Sequence, residues 1–250
     1  SGTKLSGDLS AKAIKGNAAV TVSGGTLKLD AADDAIHSNN AVTVSGGTIA
    51  IATGDDAIHA DTALTVNAGT IDITKSYEGL ESAAITVNGG DITLVASDDG
   101  LNAAGGADGS GTLPGGAPAT GGRRPDQFAA AGNFTITING GTILVNADGD
   151  GVDANGSVTM TGGTVLVQGP SANGNGAIDY DGTFMMSGGV LVAAGSAGMA
   201  QAPTTTSTQG SLLVRLASAQ KAGTVVHIQA ADGTPLVTFQ ATKAFQALTV

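Results

Sequence analysis

Residues Gly54 to Ile73 read GDDAIHADTALTVNAGTIDI, and residues Ala32 to Ile51 read ADDAIHSNNAVTVSGGTIAI. The two segments share one order: an acidic pair, a short apolar run, a polar turn, a strand-like stretch, a small-residue corner and a second strand-like stretch. Within both stretches apolar and polar residues alternate with period two, which marks half-buried strands, and no helical period appears. The second small residue of the corner recurs at Gly25, Gly47, Gly69, Gly90, Gly141, Gly163 and Gly189, in steps of 22, 22, 21, 51, 22 and 26. The step of 51 contains one coil and a Gly/Pro/Ala-rich insertion, residues 104–131, without periodic pattern.

A unit this short cannot bury its apolar face alone, but a stack of such units can. The pattern predicts an all-β fold, a right-handed parallel β-helix of about 22 residues per coil with seven coils. At one inter-strand spacing per coil the rod would be roughly 35 Å long. Val42/Val44, Leu64/Val66 and Ile85/Val87 should point inward before the corner, and Ile49/Ile51, Ile71/Ile73 and Ile92/Leu94 after it. Glycine at the corner fits a sharp turn where a side chain would clash. Residues 1–199 are assigned to the β-helix. Residues 200–250 are assigned to a Pro/Thr/Ser linker, AQAPTTTSTQ at 200–209, and short antiparallel strands that cap the rod, with an Asp232-Gly233 turn among them. The sequence starts without Met and stops in a strand-like run, so a piece of a longer protein is expected.

Composition narrows the function. Of 250 residues 40 are glycine, none is cysteine or tryptophan, and aromatics make up 3%. A formal net charge of -11 disfavours nucleic acid and anionic membranes, because phosphate recognition needs clustered Lys and Arg. No apolar run has the length of a membrane span, so no membrane insertion is expected.

Stacking turns sequence positions into columns. The second acidic position gives Lys12, Asp34, Asp56, Glu78, Asp99, Asp150 and Gly176; its predecessor gives Asp33, Asp55, Tyr77, Asp98 and Gly149. Three residues further stand Lys15, His37, His59, Glu81, Asn102, Asp153 and Asp179. Carboxylates in register lie roughly 5 Å apart and repel unless neutralised. Asp at a turn commonly does no more than cap backbone groups, but this many acids in one register favour a cation. The absence of cysteine and the small number of column histidines favour a hard ion, Ca²⁺, over a soft one. Asp34, Asp56, Glu78, Asp99, Asp150 and Asp153 are the expected ligands. His37 and His59 read as structural or ligand-contacting, because no serine or cysteine nucleophile is placed for them. A third column, Thr21, Thr43, Thr65, Thr86, Thr137 and Thr159, faces outward as a ladder. It reflects β-propensity or a flat docking surface for an ordered solid.

With the repeats aligned, SDDGLNAAGG (97–106), NADGDGVDANG (146–156) and GSAGMAQAP (195–203) resemble the bacterial calcium-containing, carbohydrate-binding parallel β-helix family, related in shape to pectate lyases. The resemblance covers nearly the whole chain. It implies extracellular or cell-surface, non-catalytic binding of plant cell-wall polysaccharide, chiefly polygalacturonate and cellulose. It also implies Ca²⁺ held by Asp98 and Asp99 of the first motif and by Asp148, Asp150 and Asp153 of the second. The early coils depart from the family pattern, with DDAIH in place of DDGLN, so Asp34 and Asp56 rest on the column alone.

The leading expectation is therefore a monomeric, calcium-stabilised polysaccharide-binding module. Expected ligand contacts are His37, His59, Tyr77, Glu81, Asn102, Arg123, Arg124 and Tyr180; aromatic stacking partners for sugar are few. The alternatives are a polysaccharide lyase, which needs a basic group beside Ca²⁺, and an adhesin or ice-binding solenoid that uses the threonine ladder.

Overall fold

The computed structural model describes residues 11–104 and 133–250. These residues contain strands and no helix. Each coil has three strand positions, and equivalent positions of successive coils pair in parallel.

The first face is a sheet of seven three-residue strands: Ile14–Gly16, Ile36–Ser38, Ile58–Ala60, Leu80–Ser82, Leu101–Ala103, Val152–Ala154 and Ile178–Tyr180. The other two faces merge into one larger sheet, because Ala41–Thr53 and Ala63–Ser76 run unbroken through the glycine corner. Leu101 pairs with Val152, and Ile85 with Ile136, so the insertion leaves the register of both neighbouring faces intact. Arg123, Arg124 and nearly all of the insertion lie outside the described residues.

Inward positions carry the branched aliphatics that the alternation marked, and Val42, Val44, Ile49, Leu64, Val66, Ile73 and Ile85 are completely buried. Burying one such side chain contributes about 1.5–3 kcal/mol, and the rod repeats that gain in every coil. The corner glycines all have φ between +82° and +110° at Gly25, Gly47, Gly69, Gly90, Gly141, Gly163 and Gly189. Stacking adds a second constraint. A Cβ on Gly141 would lie 2.6 Å from the carbonyl oxygen of Gly90 in the preceding coil, whereas one on Gly25, in the first coil, meets nothing within 4 Å.

The end of the rod carries the expected antiparallel strands, and the segment expected as a linker is bonded to the last coil. Residues 200–209 form no strand, yet they bind the edge of the last coil. The amide of Thr204 donates to the Phe184 carbonyl at 2.8 Å and that of Gln209 to the Met186 carbonyl at 3.1 Å. In return Thr204 Oγ1 accepts from the Phe184 amide at 2.9 Å and Ser207 Oγ from the Met186 amide at 3.0 Å. Hydroxyls thus replace the backbone partners that a further coil would supply, which a strand pattern does not reveal. Phe245–Thr249 then pairs antiparallel with Val190–Gly195, and Leu213–Gln220 pairs antiparallel with it in turn. A hairpin, Val225–Gln229 with Pro235–Gln240, packs Val226, Ile228, Val237 and Phe239 against a second small core around Val192, Phe245 and Leu248.

Gly141→Ala should lower the melting temperature clearly, since it combines positive φ with backbone overlap; each strained non-glycine residue costs on the order of 1–3 kcal/mol. Gly25→Ala bears only the first cost, so thermal denaturation should show the smaller drop. Equal shifts would remove stacking from the explanation.

Candidate functional site

The polar columns lie on the first face and its entering turn. His37 pairs with Lys15 and His59, His59 with Glu81, Glu81 with Asn102, and Asn102 with Asp153. The column read from the sequence is therefore one row of hydrogen-bonded strands. Its burial was not legible from turn chemistry. Asp34 is 0% exposed, Asp56 2%, His59 1% and Glu81 3%. Asp33, Asp55, His37, Asp99 and Asn102 are buried as well, while Glu78, Asp150 and Asp153 are half-buried.

The acids do one structural job directly. The amide of Asp56 donates to Asp34 Oδ1 at 3.4 Å, and the amide of Glu78 donates to Asp56 Oδ1 at 3.2 Å. Asp99 Oδ1 receives the amide of Asp150, and Asp150 Oδ1 receives that of Gly176. Each aspartate thus staples the equivalent residue of the next coil, which explains why the position prefers Asp and can end in Gly176.

The electrostatics divide the column. Lys12 lies 3.3 Å from Asp33 and also pairs with Asp34, whose other partner is His37 Nδ1 at 2.7 Å. Burial works against ionisation of Asp34, but the His37 and Lys12 partners prevail and hold its carboxyl below the usual range. Further along, the neighbours that act on the buried row are mainly other acids. Burial, then the neighbouring Glu81, push Asp56 well up; burial and Asp56 do the same to Glu78. Asp99 is raised by burial and by Asp153, Asp150 and Asp98. Ionised together, these groups call for a cation.

Four sets bring one ligand-type atom per residue within 4.8 Å of one another: Asp34/His37/His59, Asp56/His59/Glu81, Asp33/Asp34/Asp55 and Asp99/Asp150/Asp153. The last is all oxygen and suits Ca²⁺, which takes hard carboxylate and carbonyl donors. Asp98 stands beside it: a Cβ on Gly149 would meet both Asp99 Oδ1 and Asp98 Oδ1. Glu78 joins the row through Asn102 Nδ2, which donates to its Oε2 at 2.9 Å.

Other expected site residues sit elsewhere. Asp148 is exposed and lies 2.7 Å from Lys243 Nζ, which also donates to the Ala147 carbonyl, so the tail neutralises it. Tyr180 takes the inward-facing register, packs on the main core, meets Phe184 edge-on at 6.0 Å and donates its hydroxyl to the Ala202 carbonyl at 2.8 Å. Tyr77 is half-buried in the column of Asp55 and Asp98. His37, His59, Glu81 and Asn102, expected to contact sugar, have almost no surface for it. The surface polar rows are different. Thr43, Thr65, Thr86, Thr137 and Thr159 pair in register and are half-exposed. Beside them Asn139 Nδ2 donates to Asn88 Oδ1 and Asn88 Nδ2 to Asn67 Oδ1, each at 2.8 Å, and Thr161 Oγ1 donates to Asn139 Oδ1 at 2.8 Å. The asparagine row is absent from the expected site; its signal was the Asn67/Asn88/Asn139 recurrence just before the corner.

Among known families, a model described as "Carbohydrate-binding domain-containing protein" matches residues 2–57. Those residues include the first Asp33/Asp34 and Asp55/Asp56 corners and His37. No curated protein and no solved structure matches the chain.

The raised carboxyls fix a pH trend. The folded state binds more protons than the unfolded one between the ordinary carboxylate range, about pH 4, and the raised values, so stability falls as pH rises through that window. Asp34 has the opposite sign: its contribution is present above its ordinary value and lost on acidification below it. Three raised acids outnumber it. With chelator present, the melting temperature should fall as pH rises from the ordinary carboxylate range, about pH 4, toward neutrality, and Ca²⁺ should restore it; a flat profile would show that the row is already neutralised.

Proposed function

We propose that the chain is a calcium-stabilised, non-catalytic module that binds plant cell-wall polysaccharide outside the cell or at its surface. The family match over residues 2–57 carries the carbohydrate part. The Asp99/Asp150/Asp153 set, with Asp98 beside it, is where Ca²⁺ fits, because its donors are all oxygen and burial of Asp99 makes an uncompensated charge there costly. Bound there, the ion would neutralise the row and hold two successive coils together, one through Asp98 and Asp99 and the next through Asp150 and Asp153.

The sugar-facing surface in this reading is the threonine face with the asparagine row. Hydroxyls and amides repeat there once per coil, a period that suits a polymer of repeated hydroxylated rings and offsets the lack of aromatic platforms. For polyuronate, a chain with net charge -11 also needs Ca²⁺ as a bridge. Catalysis is not part of the proposal. Among the described residues, Lys12 is engaged by Asp33 and Asp34, and Arg215 donates to the Ala200 carbonyl, so neither stands as a base beside the Asp99 set.

In pull-downs the protein should be retained on insoluble cellulose or on calcium pectate. Replacing Thr65, Thr86 and Thr137 by valine should weaken retention severalfold while leaving circular dichroism unchanged. Retention on neither polymer, or full retention by the triple variant, would overturn the reading or its surface. Incubation with polygalacturonate should produce no unsaturated product absorbing in the ultraviolet; its appearance would make the chain a lyase.

A further inference from the structure

The acidic row does not begin with an acid. The Ala13 amide donates to the Asp34 carbonyl at 3.2 Å, and Ile14 pairs with Ile36. This register places Lys12 one rung before Asp34, at the position that later coils fill with Asp56, Glu78, Asp99 and Asp150. The Lys12 side chain is only 6% exposed. Its ammonium lies 3.3 Å from Asp33 Oδ1 and donates to Asp34 Oδ2, which also lies 2.7 Å from His37 Nδ1. Asp33, Asp34 and Asp55 each bring one carboxylate oxygen within 4.8 Å of the others, so the ammonium reaches into a cluster of three carboxyls.

An ammonium is a compact charge with three donors, so it neutralises carboxylates and hydrogen-bonds them at once. Buried charges persist when they are paired in this way. Because the backbone tethers it, Lys12 meets the acids at the high effective concentration of an intramolecular contact, and dilution cannot remove it. It also bars a divalent ion, since Asp34 Oδ2 is taken and like charges repel. The charge states along the row agree with this placement. Burial opposes ionisation of Asp34, but His37 and Lys12 outweigh it and hold the carboxyl low. At Asp56, Glu78 and Asp99 burial comes first, neighbouring acids add to it, and the carboxyls are pushed up.

We propose that Lys12 is a resident cation of the rod. In coils one and two its ammonium takes the place that a divalent ion takes at Asp99, Asp150 and Asp153 in coils five and six. The rod then has a start that keeps its structure without metal and a later part that loosens when metal is withdrawn. The role of Lys12 rests on the ion-pair geometry; the division of the rod rests also on the calcium reading of the Asp99 set. The self-neutralised coils overlap residues 2–57, the segment matched by the carbohydrate-binding family model. Loss of divalent ions should therefore reach the far coils while the matched segment stays closed.

Hydrogen exchange read by mass spectrometry on the whole chain, with chelator or with added Ca²⁺, tests this. In the wild type, chelator should speed exchange severalfold at residues 98–103 and 148–154 and leave residues 33–38 unchanged. Lys12→Gln should speed exchange at 33–38 and make it sensitive to Ca²⁺, because the vacated acid cluster then accepts the ion. Lys12→Arg, which keeps the charge, should keep the wild-type insensitivity. If Lys12→Gln does not fold in chelator, Ca²⁺ should recover it. An equal response to chelator at 33–38 and 148–154 in the wild type would overturn the resident cation. So would unchanged exchange at 33–38 in a folded Lys12→Gln chain, or an unfolded one that Ca²⁺ does not recover. If Ca²⁺ protects neither far segment while Lys12→Gln behaves as stated, the division of the rod and the calcium reading fall and the role of Lys12 stands.

Discussion

Parallel pairing between successive coils is the constraint on which everything else depends. Once Ile36 is hydrogen-bonded in register with Ile58, and Ile58 with Leu80, every residue is held one strand spacing from its counterparts above and below. This repetition has opposite consequences for different side chains. Inward aliphatics gain, since Val on Leu on Ile is good packing at that distance. Corner glycines become obligatory for a reason outside their own coil, the carbonyl of the coil before. Acids are forced together at a distance where two like charges cannot both be comfortable.

The polar column shows how that last conflict is handled along the rod. At Asp34 the fold supplies Lys12 and His37, and the carboxyl ionises readily. At Asp56, Glu78 and Asp99 it supplies further acids, and ionisation becomes expensive. The amide staples from one coil to the next offset part of the cost, because a carboxylate that accepts a backbone N–H is partly compensated. The row thus joins adjacent coils by side chain as well as by backbone.

Much of this was readable beforehand, for a definite reason. Repeats report their own register, so aligning the corner glycines places Asp34 with Asp56 and His37 with His59. Spacing does not report depth. Asp56 and Glu81 look like turn and strand-surface residues in sequence, yet the three-residue strands of that face bury the polar position together with its apolar neighbours. Long-range partners were equally hidden: nothing in NADGD signals that Lys243, far along the chain, reaches Asp148. The segment 200–209 read as a linker because hydroxyl-to-backbone bonding has no period.

The unbroken pairing of Leu101 with Val152 across the insertion has a consequence for how such a molecule changes over time. Position within the rod is counted in hydrogen-bonded rungs, not in residues along the chain. A corner at which the chain can depart and return to the same rung is therefore free to lengthen, shorten or diversify without cost to the packing on either side. New binding segments can be tried there independently of the scaffold, and the scaffold can accumulate coils independently of them.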